Sequence, residues 1–410
     1  MEDVLTNFDI PREQASIIKV IGVGGGGGNA VAHMYREGVR NVTFALCNTD
    51  NQALLKSGVP VIIQLGKETT KGLGAGNKPH IARQAAEESI EDIRKLLSDG
   101  TQMVFITAGM GGGTGTGAAP VIAQVAKDMD ILTVGIVTVP FLFEGEDKIL
   151  QALRGVEEIR KNVDALLVIN NQRLIEMYGD LNIIEAFAKA DSTLSDAARS
   201  IAEIITIPGI VNVDFADVNT TLKNGGVAVM SSGYGQGKGR VSQAFEKALH
   251  SPLLNNNNAV NAKKILFNIY SSSDNPLGAS EMNEITDFMA KFKIREIELI
   301  WGAALDDTLK GDEMKVTVLA AGFGVESIDP LMKNVLKEGK QQIDDIYGKG
   351  TAKNLGRRMK PKPFIFQSVE QMDDNEIIAA IIDHPPYKRD SKITIVSLTD
   401  AKEPTSNKGL

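Results

Sequence analysis

Ala108-Gly109-Met110-Gly111-Gly112-Gly113-Thr114-Gly115-Thr116-Gly117 follows the apolar run Gln102–Thr107 and opens a helical pattern over Gly117–Asp130. Strand, glycine loop and helix in that order bring bare backbone N–H groups and a helix N-terminus to one point, which suits an anion. Thr114 and Thr116 add hydroxyl donors beside that backbone. A second glycine window, Gly22–Gly28, follows the β-branched run Ser16–Ile21, and a third spans Gly72–Gly76. These three windows hold fifteen of the 40 glycines. Such clustering marks backbone that approaches a ligand closely or takes positive φ.

Outward from the windows, strand and helix signals alternate. Strands are expected at Ser16–Ile21, Val42–Cys47, Val59–Leu65, Gln102–Thr107, Ile131–Val139 and Ala165–Ile169. Helices are expected at Asn29–Glu37, Pro79–Leu97, Gly117–Asp130 and Asp147–Asn162. That alternation predicts an α/β fold, with a Rossmann-like, mostly parallel sheet and helices on both faces. Ligands in such sheets bind beyond the carboxyl ends of the strands, where the glycine windows fall.

The longest helical pattern, Asn182–Ile205, would run roughly 36 Å at 1.5 Å per residue. Beyond it, strands at Gly226–Ser231, Lys264–Ser271, Glu296–Ala304 and Lys315–Ala321 and helices at Arg240–Leu249 and Ser280–Phe292 suggest a smaller α+β unit. The predicted organisation is residues 1–181 for ligand binding, 182–224 for the central helix and the loop after it, 225–324 for the C-terminal α+β domain, and 325–410 for a mostly disordered tail. Within that tail Ile328–Tyr347 fits a helix, whereas Gly348–Pro363 is basic and rich in helix breakers.

Composition narrows the function classes. The chain has 410 residues and a net charge of −8, which disfavours nonspecific nucleic-acid binding through phosphate neutralisation. It is 43% hydrophobic, enough for a core. No apolar run reaches a membrane span and no signal peptide is visible, so the expected location is the cytoplasm. Cys47 is the single cysteine, which excludes an intrachain disulfide and a cysteine-cluster metal site. His33, His80, His250 and His384 lack ligand spacing.

Gly22-Val23-Gly24-Gly25-Gly26-Gly27 alone fits G-x-G-x-x-G, with Asp50 as the ribose acid of an NAD-dependent oxidoreductase. A dinucleotide fold has no use for the second cradle at Gly111–Gly117, whereas a chain of phosphates gripped from two sides does. No G-x-x-x-x-G-K-[ST] motif occurs, so a P-loop NTPase is disfavoured.

Gly111–Gly117, reading GGGTGTG, resembles the signature loop of the tubulin/FtsZ GTPases. Val23–Ala30, Asn48-Thr49-Asp50, Pro140–Gly145 and Asn212–Val218 resemble the bacterial cell-division branch of that family, in collinear order from Ile17 to Phe323. The resemblance implies a GTPase that polymerises head to tail into cytokinetic filaments; a tubulin-like filament for DNA segregation is the alternative. It assigns Gly24, Gly25, Gly26 and Asn29 to the first nucleotide loop and Ala75 and Gly76 to a loop near the γ-phosphate. Gly111, Gly112, Gly113, Thr114, Gly115 and Thr116 would grip the phosphates. Glu144 would bind the ribose, with Lys148 where many relatives carry Arg. Asn171 and Asp191 would read the guanine edge, with Phe187 stacked on the ring and Ser192 where Asn or Asp is common. An Asp suits that role because it accepts from the N1–H and N2–H₂ donors adenine lacks; otherwise Asp191 reads as a solvated helix position.

Asp214 and Asp217, three apart, read either as helix capping or, by the resemblance, as the acids that with Asn212 polarise the attacking water on the next subunit's GTP. A nucleotide at one pole and acids at the other would make each active site a head-to-tail contact, which generates open filaments. Mg²⁺ would be held mainly by phosphates and water, with no protein metal site. Expected partners are further copies of the chain, with division proteins and membrane tethers reached through the tail at the division site. The tail shows no D/E-I-P-x-F-L-R-type peptide. Ile377–Ile382 with Pro385-Pro386 reads as a partner site or an ordinary amphipathic segment, and Lys349–Lys362 as a linker or a basic surface for lipid.

Overall fold

The computed structural model describes residues 16–323, apart from 40, 180, 250–261 and 294–296. The helix expected at Ile328–Tyr347 and every feature assigned to the tail lie outside the described residues. In order, the first half runs β1 (Ile18–Val23), α1 (Gly24–Arg36), β2 (Thr43–Asn48), α2 (Asn51–Lys56), β3 (Ile62–Gln64), α3 (Pro79–Glu88), α4 (Ile90–Leu97), β4 (Met103–Gly109), α5 (Thr114–Asp128), β5 (Leu132–Val139), α6 (Glu146–Arg160) and β6 (Ala165–Asn170). There follow α7 (Asn171–Tyr178), α8 (Ile183–Thr206), α9 (Phe215–Leu222), β7 (Gly226–Gly235), α10 (Arg240–Leu249), β8 (Lys264–Ser271), α11 (Glu281–Lys293), β9 (Glu298–Leu305) and β10 (Met314–Phe323).

β1 to β6 are all parallel, in the order β3-β2-β1-β4-β5-β6. They form because Val, Ile, Leu and Phe dominate both faces. Val20, Phe105, Val134 and Ile136 pack with α1 and α8, while their neighbours Ile21, Ile106 and Val137 are equally buried. The sheet does not end there. β7 pairs in parallel with β6, from Ala165 opposite Gly226, and then carries β10, β8 and β9 in one ten-stranded sheet.

Three expectations need correction. The first glycine window is not a loop before a helix at Asn29: α1 begins at Gly24. A Cβ at Gly27 would stand 2.0 Å from the carbonyl oxygen of Thr107, so only a helix without side chains there can lie this close to β4. The helix expected over Pro79–Leu97 breaks at Ser89, whose φ/ψ of −100°/15° is not helical and whose Oγ accepts the N–H of Gly66 at 3.0 Å. Asn171–Tyr178, which carried no helical expectation, is α7, with the Asn170 side chain accepting from Gln172 N–H at its start.

The long helix α8 starts one residue inside Asn182. That residue and Glu185 form a reciprocal capping box, at 3.0 and 3.1 Å. α8 packs along α1 and β5, and Ser195 ties it to α1 by donating to Ala30 O at 2.9 Å. It thus joins the two edges of the parallel sheet.

Candidate active site

Chain order reverses between β1 and β4, which are neighbours in the sheet. That is the switch point at which open α/β sheets bind ligands. Both adjoining helices begin almost at the strand ends, α1 at Gly24 and α5 at Thr114. Their positive dipole ends therefore converge. Gly24 has φ +72°, and a Cβ there would meet Gly115 N at 2.8 Å, so the two helix starts touch through backbone. Gly113 packs against Ala75, Asn77 and Lys78, which brings the Gly72–Gly76 window to the same place. Thr49, at the end of β2, shares a 2.7 Å hydrogen bond with Thr114 through their hydroxyls. It stands inside one of the quoted motifs, yet sequence reasoning gave it no role. Thr116 is buried and its Oγ accepts the N–H of Gly111 at 2.9 Å, so it braces the loop from within.

The residues expected to face ribose and base lie after β5, after β6 and on α8. Glu144 accepts Phe141 N–H through Oε1 and Lys148 Nζ–H through Oε2, each at 2.9 Å. Phe187 is exposed and meets Phe141 edge-on, with ring centroids 5.2 Å apart; Phe141 stacks on Phe143 at 5.0 Å. Asn171, the first residue of α7, is 5% exposed, and its Oδ1 is buried without a hydrogen-bond partner. A buried acceptor of that kind is costly unless a ligand or water fills it. Asp191 takes a hydrogen bond from the Asn29 side chain, but burial outweighs that bond and pushes its carboxyl up to about 6. Ser192 turns back onto its own helix, donating to Lys189 O at 3.0 Å.

Asp50 is the N-cap of α2. One of its carboxylate oxygens accepts the N–H groups of Gln52 and Ala53, so it caps α2. Cys47 is fully buried, and burial pushes its thiol up to about 12, so it serves as packing.

Asn212, Asp214 and Asp217 lie elsewhere. Asp214 is the N-cap of α9 and Asp217 its third residue. Asp214 Oδ1 accepts Asp217 N–H at 3.0 Å and Asp217 Oδ2 accepts Asp214 N–H at 3.1 Å. The capping reading is thus present in the geometry, and it uses one oxygen of each carboxylate. Asn212 Oδ1 accepts Gly209 N–H at 2.7 Å. The loop ahead of α9 runs beside β9, where Val211 and Ala303 exchange backbone hydrogen bonds at 3.1 and 3.0 Å, and only the far end of α9 reaches the amino ends of β5 and β6. Just past α9, Lys223 pairs with Asp130 ahead of β5, and Gly226 N–H bonds Asp164 O ahead of β6. From Asp191 to the end of α8 at Thr206 is already roughly 22 Å along the axis.

Comparison with known proteins agrees with this arrangement. A model of the Tubulin/FtsZ family GTPase domain matches residues 17–179, and one of the FtsZ family C-terminal domain matches residues 226–324. The cell division protein FtsZ of Porphyromonas gingivalis is 51% identical over 408 residues, spanning 95% of this chain and 89% of that protein. This chain belongs to the FtsZ family. The FtsZ of Pseudomonas putida is 46% identical over 334 residues, 81% of this chain and 83% of its own length. Among solved structures, an empty FtsZ dimer from M. jannaschii matches with a TM-score of 0.70 at 37% identity, covering 77% of this chain and 90% of that one. The FtsZ family therefore accounts for both halves of the described sheet, and its GTPase model covers the glycine windows.

Proposed function

We propose that this chain is a GTP-hydrolysing, filament-forming protein of bacterial cell division whose active site is completed by a second copy. The observation that carries the reading is the split across the sheet. The glycine loops gather at the carboxyl ends of the parallel strands, whereas the Asn212–Asp217 segment follows the far end of α8, beside β9.

GTP would bind with its phosphates against Gly24, Gly25, Gly26, Ala75, Gly76 and the Gly111–Thr116 loop. The loop amides and the α1 and α5 dipoles offset the charge of the transferring phosphoryl. Glu144 and Lys148 would face the ribose, Phe187 the ring, and Asn29, Asn171 and Asp191 the base edge. Asn171 has an unfilled acceptor for a base donor. The Asp191 carboxylate would take guanine's N1–H and N2–H₂, discriminating against adenine.

Among the described residues no three His, Cys, Asp or Glu side chains gather as a metal site. A Mg²⁺ would arrive with the nucleotide and be held mainly by phosphate and water ligands. When bound, it neutralises phosphate charge. Asp214 and Asp217 of the next copy would orient the attacking water through the carboxylate oxygens their capping box leaves over, and Asn212 would stand beside them.

A surface that is loop on one pole and acid on the other makes a heterologous contact, and such contacts propagate. The M. jannaschii FtsZ described as a dimer supports self-association. No helix among the described residues is long and apolar enough to cross a membrane. Recruitment to the division site and to membrane tethers would fall to residues 325–410.

Mixing two variants tests the shared site. Asp214→Asn keeps intact loops, and Gly24→Ala keeps intact acids. At a GTP concentration that Gly24→Ala does not bind, an equal mixture should hydrolyse well above either variant alone. A mixture no faster than the sum of its parts would refute the split.

A further inference from the structure

One side chain outside every motif grips the phosphate loop from behind. Nε2 of Gln151, in the second turn of α6, donates to the carbonyl oxygens of Gly111 at 2.9 Å and Gly112 at 3.2 Å. The same nitrogen lies 3.5 Å from Oδ1 of Asn77, beside Gly76. Two carbonyl acceptors demand a two-donor partner, so the amide nitrogen of Gln151, not its oxygen, must face the loop.

The consequence follows from peptide geometry. Both peptides are trans, so within each the C=O and the next residue's N–H point in opposite directions. Pinning the Gly111 and Gly112 carbonyls toward α6 turns the N–H groups of Gly112 and Gly113 the other way. Gly111 has φ +98°, which sets the turn between the peptide whose N–H bonds Thr116 and the peptide that follows it. Successive N–H groups aimed together form an anion-binding concavity. Gly111's own N–H is committed to Thr116, and neither Gly112 N–H nor Gly113 N–H has a protein acceptor among the described residues. Those two amides are the ones left for a ligand.

We propose that Gln151 is a positioning residue for GTP, holding the Gly111 and Gly112 carbonyls outward so that the Gly112 and Gly113 amides face the phosphates. This rests on the loop being the phosphate cradle, as argued above. Gln151 touches no nucleotide in this account; it acts through the loop. A cavity of about 490 Å³ on the same side, lined by Pro79, Arg83, Thr116 and Arg154, borders Gln151. Water entering there would partly replace the lost bonds, which limits the effect.

The test uses the full chain, with Gln151→Met (similar length, no donor) and Gln151→Lys (donor kept), titrated with GTP, GDP and guanosine by displacement of a fluorescent nucleotide. The expected result for Gln151→Met is about tenfold weaker GTP and GDP binding with guanosine unchanged, the scale of one or two lost hydrogen bonds to a charged ligand. Gln151→Lys should stay within about threefold of the parent chain for all three ligands. Equal loss of guanosine and GTP in Gln151→Met would mark a general loosening and overturn the proposal. So would parental affinity in Gln151→Met, or Gln151→Lys as weak as Gln151→Met. If the parent chain itself bound GTP no better than guanosine, the phosphate cradle would fall instead, and Gln151's role with it.

Discussion

In the proposed reading the two ends of α8 do different work with different materials. At the carboxyl edge the working groups are backbone: helix starts at Gly24 and Thr114, the Gly111–Gly113 turn, and side chains such as Thr49, Thr116 and Gln151 that hold that backbone in place. Past the far end of α8 they would be side chains, Asn212, Asp214 and Asp217, the two acids fixed by a capping box at the start of an eight-residue helix. Backbone amides stabilise charge but cannot position a water by accepting its protons; carboxylates can. Each end therefore supplies what the other lacks, and α8 holds them too far apart for one copy to use both.

The largest effect that would sharpen this contrast is expected at Asp214. Asn caps a helix about as well as Asp, so Asp214→Asn should leave the melting temperature and GTP affinity unchanged. Turnover should fall at least about 100-fold, the scale of losing a group that acts on the reacting water. Normal hydrolysis by that variant would reduce the acid end to plain capping. Gly24→Ala should do the reverse. At φ +72°, with its Cβ 2.8 Å from Gly115 N, the new methyl pushes α1 from α5. GTP affinity should drop about 10- to 100-fold in equilibrium titration, a strain of a few kcal/mol. An unchanged dissociation constant would mean the two helix starts do not share a ligand.

The pH response adds a third contrast. Burial holds the Asp191 carboxyl near 6, so its ionised form, the one able to accept guanine's donors, dominates above that pH. GDP affinity should be flat above about pH 7 and fall by up to about tenfold per unit below pH 6. Asp191→Asn should bind more weakly at pH 7.5 with a flatter profile. Fold stability runs in the opposite sense. The native carboxyl keeps its proton between about pH 4, the unfolded value, and 6. Asp191 therefore costs stability as pH rises through that window, and denaturant titrations of Asp191→Asn should show less of that loss. A smaller effect is expected at Lys148, which is 41% exposed in its pair with Glu144. Lys148→Ala should raise the KM for GTP by no more than about threefold. A larger change would give that cation a direct place on the nucleotide.

The same contrast explains what the sequence could reveal. A backbone cradle must be nearly free of side chains, so the three windows stand out in composition, and strands buried on both faces stand out as apolar runs. Helix propensity misplaced the start of α1, since glycine disfavours helix in isolation and only contact with β4 explains it. The break at Ser89 depends on Gly66, 23 residues away, and no local pattern carries it. Asp50 shows a similar overlap: an acid after the second strand fits a ribose by position, and in the fold one of its oxygens caps α2. Thr49 and Gln151 are ordinary polar residues whose roles exist only through partners distant in sequence. Asp214 and Asp217 were legible as a pair, but capping and catalysis ask for the same residues at the same spacing. The turnover of Asp214→Asn separates those readings.

Completion of each site by a neighbour is tested most directly by GTP hydrolysis per molecule as a function of protein concentration. The account predicts almost no turnover at high dilution, a threshold, and then a steep rise toward a constant rate as head-to-tail contacts form. Hydrolysis per molecule that stays constant down to concentrations where the chain is monomeric would contradict it.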